Sequence, residues 1–467
     1  MACGFGDDEV SSGIGCVIFR HLLEDTEFIR RVSLISGLTC VSRVLGFFRD
    51  VLLAFTLGNS VMSDILFLSL RVPNHLRALL AEGAFNAAFI PTYSSIRFNK
   101  GLGAAMLVAG QVITALVLVQ LSILFAAEFW MSDILRFIAP QFVQREDYGN
   151  LAVILNRITF PYLMATAMST VFTGILHVNG HFSVAAGAPI FFNVLLILGV
   201  CLGGLFAGED YTVAVSWGAA IGVCLSGAAQ VGMLIWYCKR KKLLPRLAVP
   251  RLSPEMITFG KRLGPALLGS SSTQIAAIVD TTLAASLPMG AISALYYADR
   301  LYQLPIGIIA FAMASALLPK LAKQYSGGDL KEVRRIRGQA FLIGLIAVMP
   351  FAIVFVIWPE LMIKIIFAHG MFKDTEALRS AKVLAAYGCG LPAMVLLRII
   401  ITSFHARGDT MMPMLIGMMV LVVNIAIKMV LVRYVDVSGL AIATSIGAWS
   451  NFLILWFIVG RWDRLDR

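Results

Sequence analysis

Residues 40–91 read CVSRVLGFFRDVLLAFTLGNSVMSDILFLSLRVPNHLRALLAEGAFNAAFIP and combine two features that rarely occur together. The apolar runs are long enough for two membrane-spanning helices, each of which needs about 20 residues to cross the hydrocarbon layer. The same stretch carries seven charged side chains, namely Arg43, Arg49, Asp50, Asp64, Arg71, Arg77 and Glu82. One such charge at the bilayer centre costs about 2.5–3.5 kcal/mol on insertion scales. We therefore expect these side chains to face one another, a water-filled cavity or a charged ligand.

The rest of the chain is also strongly apolar. Of its 467 residues, 59% are hydrophobic, against roughly 45–50% in soluble domains. Apolar blocks long enough to span a bilayer occur at roughly residues 32–57, 62–94, 102–127, 151–177, 182–207, 211–238, 259–287, 290–318, 338–367, 382–405, 410–433 and 437–460. The sequence therefore predicts an all-α polytopic membrane protein with about 12 transmembrane helices.

The basic residues predict the orientation of these helices. With the N-terminus inside, about 23 Lys and Arg residues fall on the inner side and about 6 on the outer side, as the positive-inside rule requires. This bias explains most of the net charge of +11 without a nucleic-acid partner. Both termini are expected to be cytoplasmic. The predicted segments are a cytoplasmic tail (1–28), a six-helix unit (29–238), a basic loop (239–258), a second six-helix unit (259–461) and a second tail (462–467).

Two pairs of short motifs repeat at one spacing of 228 residues. AFNAAFIP (84–91) matches AMASALLP (312–319), and HVNG (177–180) matches HARG (405–408). With six helices in each repeat, the two halves are expected to be parallel and to surround a central cavity. Transporters of this build hold their substrate between the halves near the middle of the membrane.

The charged residues allow two interpretations. Arg43 and Asp50 are seven residues apart, as are Asp64 and Arg71, and such residues share a helix face. They form either ion pairs within a helix or part of the cavity. Arg49 and Arg77 have no acidic partner at these spacings, which favours a role in the cavity.

In the second half, Asp299 and Arg300 are adjacent in the middle of a span. Neighbouring residues point about 100° apart on a helix, so one is expected to pair and the other to line the cavity. If Arg43, Arg49, Arg77 and Arg300 converge, the cavity is cationic. Guanidinium groups bind phosphate oxygens bidentately, so we expect an anionic, phosphorylated substrate.

A second polar set lies in the C-terminal half. Asp280, Asn424 and Thr444 offer oxygen ligands for a monovalent coupling cation. An ion pair between Asp280 and Lys428 would fill the same space, and we favour that alternative. The sequence contains no catalytic motif and no metal-ligand spacing, so no catalytic residue, metal site or cofactor is expected. Cation gradients or the membrane potential would then supply the energy.

Four motifs together resemble the MurJ/MviN family of lipid II flippases, which belongs to the multidrug/oligosaccharidyl-lipid/polysaccharide exporter superfamily. They are SRVLGFFRD (42–50), RVPNHLRALLAEGAFNAAFIP (71–91), YYADRLYQLPIG (296–307) and FHARGDTMMP (404–413). The resemblance covers roughly residues 29–460. It implies that the essential cavity arginines of the family fall on Arg43, Arg49, Arg77 and Arg300. It likewise implies that the family's acidic positions fall on Asp50, Asp64, Glu82 and Asp299.

The resemblance implies a transporter of the bacterial inner membrane that moves lipid II between leaflets by alternating access and acts as a monomer among membrane lipids. Family members typically have fourteen helices, the last two forming a groove for the lipid tail, and this sequence ends at GRWDRLDR after the twelfth. The alternatives are a cation-coupled multidrug or polysaccharide-lipid exporter and a membrane transferase acting on the same lipid. The transferase would need a pair of catalytic carboxylates, for which Asp64 and Glu82 are the candidates.

Overall fold

The computed structural model describes residues 8–78, 83–144 and 148–465, and the side chains of 33–78, 85–144, 148–267 and 274–462. The described residues form sixteen α-helices and a π-helical turn, without strands. The helices are α1 (Asp8–Leu57), α2 (Val61–Arg77), α3 (Gly83–Ile138), α4 (Pro140–Val143), α5 (Gly149–Thr159), α6 (Pro161–Val178), α7 (Phe182–Leu205), α8 (Tyr211–Arg240), α9 (Pro254–Ala285), α10 (Ala291–Pro305), α11 (Phe311–Gly327), α12 (Leu330–Ile357), α13 (Pro359–Phe367), α14 (Asp374–Ala406), α15 (Met411–Val435) and α16 (Ser438–Leu465).

Within the described residues, nine helical segments are long and apolar enough to cross a membrane. One of them covers the 54 residues Phe85–Ile138, about 80 Å of helix at 1.5 Å per residue, which is well over twice the roughly 30 Å of the hydrocarbon layer. Its backbone leaves the helical conformation at Gly101, where φ is 83°. The part before Gly101 shares one crossing with α2, and the part after it makes the next. With α1 and α9, the described residues then account for the twelve crossings that the sequence predicts. Helix α1 begins at Asp8 and so extends through most of the predicted N-terminal tail.

The helix ends repeat at the spacing found in the sequence. Helices α1 and α9 end at Leu57 and Ala285, and helices α6 and α14 end at Val178 and Ala406, each pair 228 positions apart. Ala78, the last described residue of its segment, has the π-helical conformation, and the π-helical turn of the second half begins 228 positions later at Ile306. The two halves are therefore parallel copies of one six-helix unit, as predicted. The boundaries given above for tails and linking loop remain predictions.

The halves pack against each other along α2, α3, α9 and α10. The largest apolar core contains residues of both halves, among them Leu53 and Phe67 of the first and Tyr297 of the second. Two smaller cores each lie almost entirely within one half. Following the predicted orientation, we call the end of the molecule at which α1 and α9 terminate the outer end, and the opposite one the inner end.

Candidate substrate-binding cavity

A cavity of about 540 Å³ is lined almost entirely by the first half, and Tyr296 and Arg300 of α10 contribute to its wall from the second half. Its lining includes four arginines, and no carboxylate lines it among the described residues. Arg49 comes from α1, Arg71 and Arg77 come from α2, and Arg300 comes from α10. Three of the four predicted arginines therefore meet in one cavity.

Asp50 connects two of these arginines across the interface between the halves. Its carboxylate accepts hydrogen bonds from Nη2 of Arg49 at 2.7 Å and from the Tyr296 hydroxyl at 2.7 Å. Nε of Arg300 lies 3.2 Å from the other carboxylate oxygen. Asp50 is 2% exposed and Arg49 is 7% exposed. One buried carboxylate thus pairs with two guanidinium groups, and the cavity keeps an excess of positive charge.

Arg71 and Arg77 extend the cationic lining along α2. The guanidinium of Arg71 lies 5.7 Å from the ring centre of Tyr296, within the range of a cation–π contact. Arg71 makes no ion pair with any carboxylate in the described part of the chain. Nε of Arg77 donates to the side-chain oxygen of Asn74 at 2.9 Å. The sequence left Arg71 between an ion pair with Asp64 and a place in the cavity, and the structure places it in the cavity lining.

Arg43 differs from the expectation. Its side chain is exposed and is absent from the described lining of the cavity. The Arg43 guanidinium lies instead close to Gly307 in the π-helical turn, where an added Cβ would be 2.9 Å from Nη1 of Arg43. Seven residues of helix separate Arg43 from Asp50, a rise of about 10 Å. Of the two alternatives for Arg43, the structure does not show the ion pair with Asp50, because Arg49, Arg300 and Tyr296 contact the Asp50 carboxylate.

The structure does not show the ion-pair alternative for Asp64 and Arg71 either. The Asp64 carboxylate is 1% exposed and accepts hydrogen bonds from the backbone N–H groups of Gly290 at 2.6 Å and Ser293 at 2.7 Å. The Ser293 hydroxyl donates to it at 2.6 Å. These donors form the N-terminus of α10, where an acidic group is stabilised by the unpaired N–H groups and the helix dipole. Asp64 therefore joins the two halves at the outer end. Glu82 lies outside the described residues.

Asp299 lies away from the cavity lining and accepts a hydrogen bond from the Gln303 amide. The structure thus separates it from its neighbour Arg300, as expected for adjacent helical positions.

Each of the proposed cation ligands has another partner. Asp280 pairs with Nζ of Lys428 at 2.6 Å, and Lys428 is 2% exposed. The Asn424 amide donates to the Ala443 carbonyl, and the Thr444 hydroxyl donates to the Leu440 carbonyl at 2.9 Å. The ion pair that we favoured at Asp280 is therefore present, and a coupling cation stays a prediction.

Further contacts join the halves at the outer end. The backbone N–H of Asn59 donates to Glu376 at 3.0 Å, and the Tyr297 hydroxyl donates to the Gly58 carbonyl at 3.1 Å. Gly58 has a φ of +60°, and a Cβ there would lie 2.5 Å from the Met371 carbonyl oxygen. Glycine is required here for both the left-handed backbone and the close approach of the halves.

The halves also touch at the inner end. Nζ of Lys100 lies 2.6 Å from Glu255, and Nη1 of Arg262 donates to the Thr92 hydroxyl at 3.2 Å. The hydrogen bond from Lys100 lowers the pKa of Glu255 to about 2. Contacts between the halves therefore lie at both ends of the cavity.

Neutral polar groups complete the lining. They are Asn74, Asn86, Thr166, Ser169, Thr170, Thr173, Asn193 and Gln230. Sequence analysis did not select them, although a polar side chain within an apolar block is the same signal that selected the arginines. Asn193 shows their use: its side-chain oxygen accepts a hydrogen bond from Arg49 at 2.9 Å and so orients that guanidinium. The cavity can bind an anionic group together with several hydroxyl or amide groups.

Comparison with known proteins places this architecture in a family. A family model described as Lipid II flippase MurJ matches residues 53–466. The chain belongs to the lipid II flippase MurJ family. The probable lipid II flippase MurJ of Rhizobium meliloti (strain 1021) is 32% identical over 442 residues, which cover 93% of this chain and 82% of the relative. The lipid II flippase MurJ of Burkholderia cenocepacia is 29% identical and covers 91% of this chain and 82% of its own length.

Solved structures agree. A lipid II flippase MurJ in an inward closed conformation matches with a TM-score of 0.77 and 26% identity, covering 91% of this chain and 87% of that one. An inward-facing multidrug resistance MATE family transporter matches with a TM-score of 0.76 but 14% identity, covering 91% and 94%, which shows a shared fold alone. The chain is therefore a multi-pass membrane protein of a MurJ transporter family rather than an enzyme. Neither the drug exporter nor the transferase is favoured.

Proposed function

We propose that this protein carries lipid II, the diphosphate-linked lipid precursor of peptidoglycan, from the inner to the outer leaflet of the bacterial cytoplasmic membrane. The single observation that supports this most is the cavity of about 540 Å³, whose described lining has four arginines and no carboxylate. A diphosphate offers several anionic oxygens, and guanidinium groups bind such oxygens in a bidentate manner. The neutral amides and hydroxyls of the lining suit a sugar and a peptide.

The Asp50 network supports a specific mechanism of binding. Asp50 holds Arg49 and Arg300 from opposite halves within one network, and Tyr296 orients it. A diphosphate entering the cavity competes with this carboxylate for the two guanidinium groups. Binding would thereby weaken a contact between the halves and favour their rearrangement.

Alternating access then requires that the contacts between the halves separate in turn at the inner end and at the outer end of the molecule. At the inner end, the Lys100–Glu255 and Arg262–Thr92 contacts separate to admit the headgroup while the lipid tail stays in the bilayer. At the outer end, the Asp64 contacts with the start of α10 separate to release it. Each negative charge moved outward gains about 2.3 kcal/mol per 100 mV of an inside-negative potential. If transport is coupled to a monovalent cation, the Asp280–Lys428 ion pair favours a cation site elsewhere in the protein.

The proposal includes a monomer with both termini in the cytoplasm. The excess of basic residues in the predicted inner loops supports this orientation, and both repeats needed for the cavity are present in one chain.

Rescue of a flippase-depleted bacterium tests the function. The wild-type chain is expected to restore growth and cell-wall synthesis, and Arg77→Ala is expected to be present in the membrane at normal levels without restoring either. Arg49→Ala is expected to fail as well, at a lower membrane level, because it also removes a partner of the buried Asp50. Arg136→Ala is the matched control, because Arg136 is exposed and its carboxylate partner Asp133 is exposed as well. Full rescue by both cavity variants would contradict the proposal.

A further inference from the structure

A second, strongly apolar pocket of about 440 Å³ lies on the other side of α2 from the cationic cavity. Its walls come from both halves, with Val72 and Leu76 on α2, Ile123 and Ile134 on α3, and Ile278 on α9. Because α9 belongs to the second half, the shape of the pocket depends on how the halves are arranged.

The pocket suits a hydrocarbon chain. Its two conspicuous polar side chains, His75 and Thr281, lie 3.4 Å apart and can satisfy each other. The remaining lining is aliphatic or aromatic. Trp130 belongs to this lining and is 60% exposed, so the pocket reaches the surface of the protein. Even a closed apolar cavity of about 150 Å³ excludes water and accepts hydrocarbon ligands. In a bilayer, the available ligand of that chemistry is a lipid chain.

Helix α2 forms the wall between the two compartments. Arg71, Asn74 and Arg77 line the cationic cavity, whereas Val72 and Leu76, within the same two turns, line the apolar pocket. A helix with its side chains is about 10–12 Å across. The anionic site and the apolar site are therefore one helix apart, at the same level of the membrane.

We propose that the apolar pocket binds a segment of the polyprenyl chain of the same lipid whose diphosphate binds in the cationic cavity. The inference rests on the proposed function. Val72 lies eleven residues into α2, about 16 Å from the start of that helix, so the pocket reaches towards the middle of the bilayer. A lipid whose headgroup lies inside the protein has its chain at this depth. A phospholipid, whose phosphate stays at the membrane surface, is the competing occupant.

Site-specific photo-cross-linking distinguishes these occupants. Ile134, in the pocket, is replaced by p-benzoyl-phenylalanine, and Leu118, an exposed position on the same helix outside the pocket, is replaced in a control protein. Both are reconstituted in phosphatidylethanolamine and phosphatidylglycerol vesicles containing lipid II. We expect the ratio of polyprenyl to phospholipid adducts to be several-fold higher at position 134 than at 118. Equal ratios, or phospholipid adducts alone at 134, would overturn the inference.

Filling the pocket gives a second, functional readout. Ala126 lines the pocket and is half-buried, so Ala126→Phe should occupy the space of the chain, with Leu118→Phe as the control. We expect Ala126→Phe to slow leaflet transfer of full-length lipid II several-fold while leaving transfer of an analogue with a short prenyl chain unchanged. Arg71→Ala should slow both substrates.

The outcomes separate the two proposals. If Ala126→Phe transfers both substrates at the wild-type rate, the apolar site is refuted and the flippase function stands. If Arg71→Ala transfers both at the wild-type rate, the proposed function itself is in error. Should Ala126→Phe fail to fold, as judged by thermal melting in detergent, the cross-linking ratio still decides the inference.

Discussion

Asp50 shows how this membrane protein tolerates a buried charge. Asp50 is buried, but it contacts Arg49, Arg300 and the Tyr296 hydroxyl. A buried carboxylate with several charged donors is compensated, whereas removal of one member leaves an uncompensated charge. The cavity therefore combines a satisfied network at Asp50 with Arg71, which has no carboxylate partner in the described structure and is available to a ligand.

The Asp280–Lys428 pair allows the cost of one buried charge to be measured. Lys428→Met leaves Asp280 without its ammonium partner, and breaking such a pair costs about 3–5 kcal/mol. The double variant Asp280→Asn, Lys428→Met is expected to recover most of this loss, because neither charge remains. Thermal unfolding in detergent measures the stability of the single and the double variant. The exposed Lys364–Glu360 pair is the control, because breaking it should cost only about 0.3–0.5 kcal/mol.

The same variant tests the cation site. With the Lys428 ammonium removed, a cation can enter beside Asp280, so added Na⁺ should raise the melting temperature of Lys428→Met but not that of the wild type. Equal stabilisation of both proteins by Na⁺ would show that a cation binds despite Lys428 and would contradict the assignment of the pair.

At the residue level, the sequence predicted which charges matter better than it predicted their partners. Spacing along a helix identified Arg49, Arg77 and Arg300 as candidates for the cavity, and the structure brings them together. For Asp50 and Asp64 the same spacing offered a partner on the same helix as one of two alternatives, and neither carboxylate binds that partner. Both carboxylates bind groups more than 200 positions away in the chain, and such partners leave no trace in local spacing.

Among the elements, the start of α10 is the clearest contact between the halves. Asp64→Asn removes the charge that the N-terminal N–H groups of α10 stabilise, and we expect a loss of about 1.5–3 kcal/mol, the range for hydrogen bonds to charged groups. The outer ends of α2 and α9 should also separate more often, as measured by the distance between spin labels placed there. Asp329→Asn is the control, because Asp329 caps α12 within one half. An unchanged distance distribution in Asp64→Asn would rule out a role in closing the outer end.

The inner contact between α3 and α9 predicts a charge-reversal result. Glu255→Lys places two ammonium groups together and should open the inner end, while the double variant Lys100→Glu, Glu255→Lys should close it again. Accessibility of a cysteine introduced into the cavity to a water-soluble reagent added at the inner side measures the opening. If the single and double variants react at the same rate, the contact does not control this end.

The pH dependence of this contact follows from the pKa of Glu255. That pKa is lowered in the folded protein to about 2, below the usual value of about 4.3. The contact therefore contributes fully above the usual value and is lost only as the pH falls towards 2. Accessibility at the inner end should accordingly stay constant between about pH 5 and pH 8, in contrast to the large effect of Glu255→Lys.

Element positions were largely predictable because apolar length and the position of charges mark membrane spans. The exceptions are breaks within spans. The predicted span 151–177 is divided at Phe160, before Pro161, into α5 and α6, and the predicted span 290–318 contains a π-helical turn at Ile306–Ala310. Mean hydropathy over a window of residues does not change at such a break. The sequence therefore predicts where the chain crosses the membrane but not where the helix is interrupted.

For the whole molecule, the 228-residue repeat accounts for the location of the site. The two parallel six-helix units meet at Asp50, Arg49 and Arg300, and the arginine-lined cavity lies beside this contact. The repeat was visible in two short motif pairs, and the helix ends confirm it. The apolar pocket was not visible in the sequence, because its aliphatic residues look like any lipid-facing or core residues.

The central claim is that the positive charge of the cavity binds the diphosphate during transfer. The most direct measurement is the rate at which lipid II crosses the membrane of reconstituted vesicles containing the wild type, Arg71→Lys or Arg71→Gln. Arg71 is chosen because its replacement breaks no ion pair in the described structure. The account predicts an intermediate rate for Arg71→Lys, which keeps the charge without the bidentate fork, and little transfer by the equally folded Arg71→Gln protein. A wild-type rate for Arg71→Gln would contradict it.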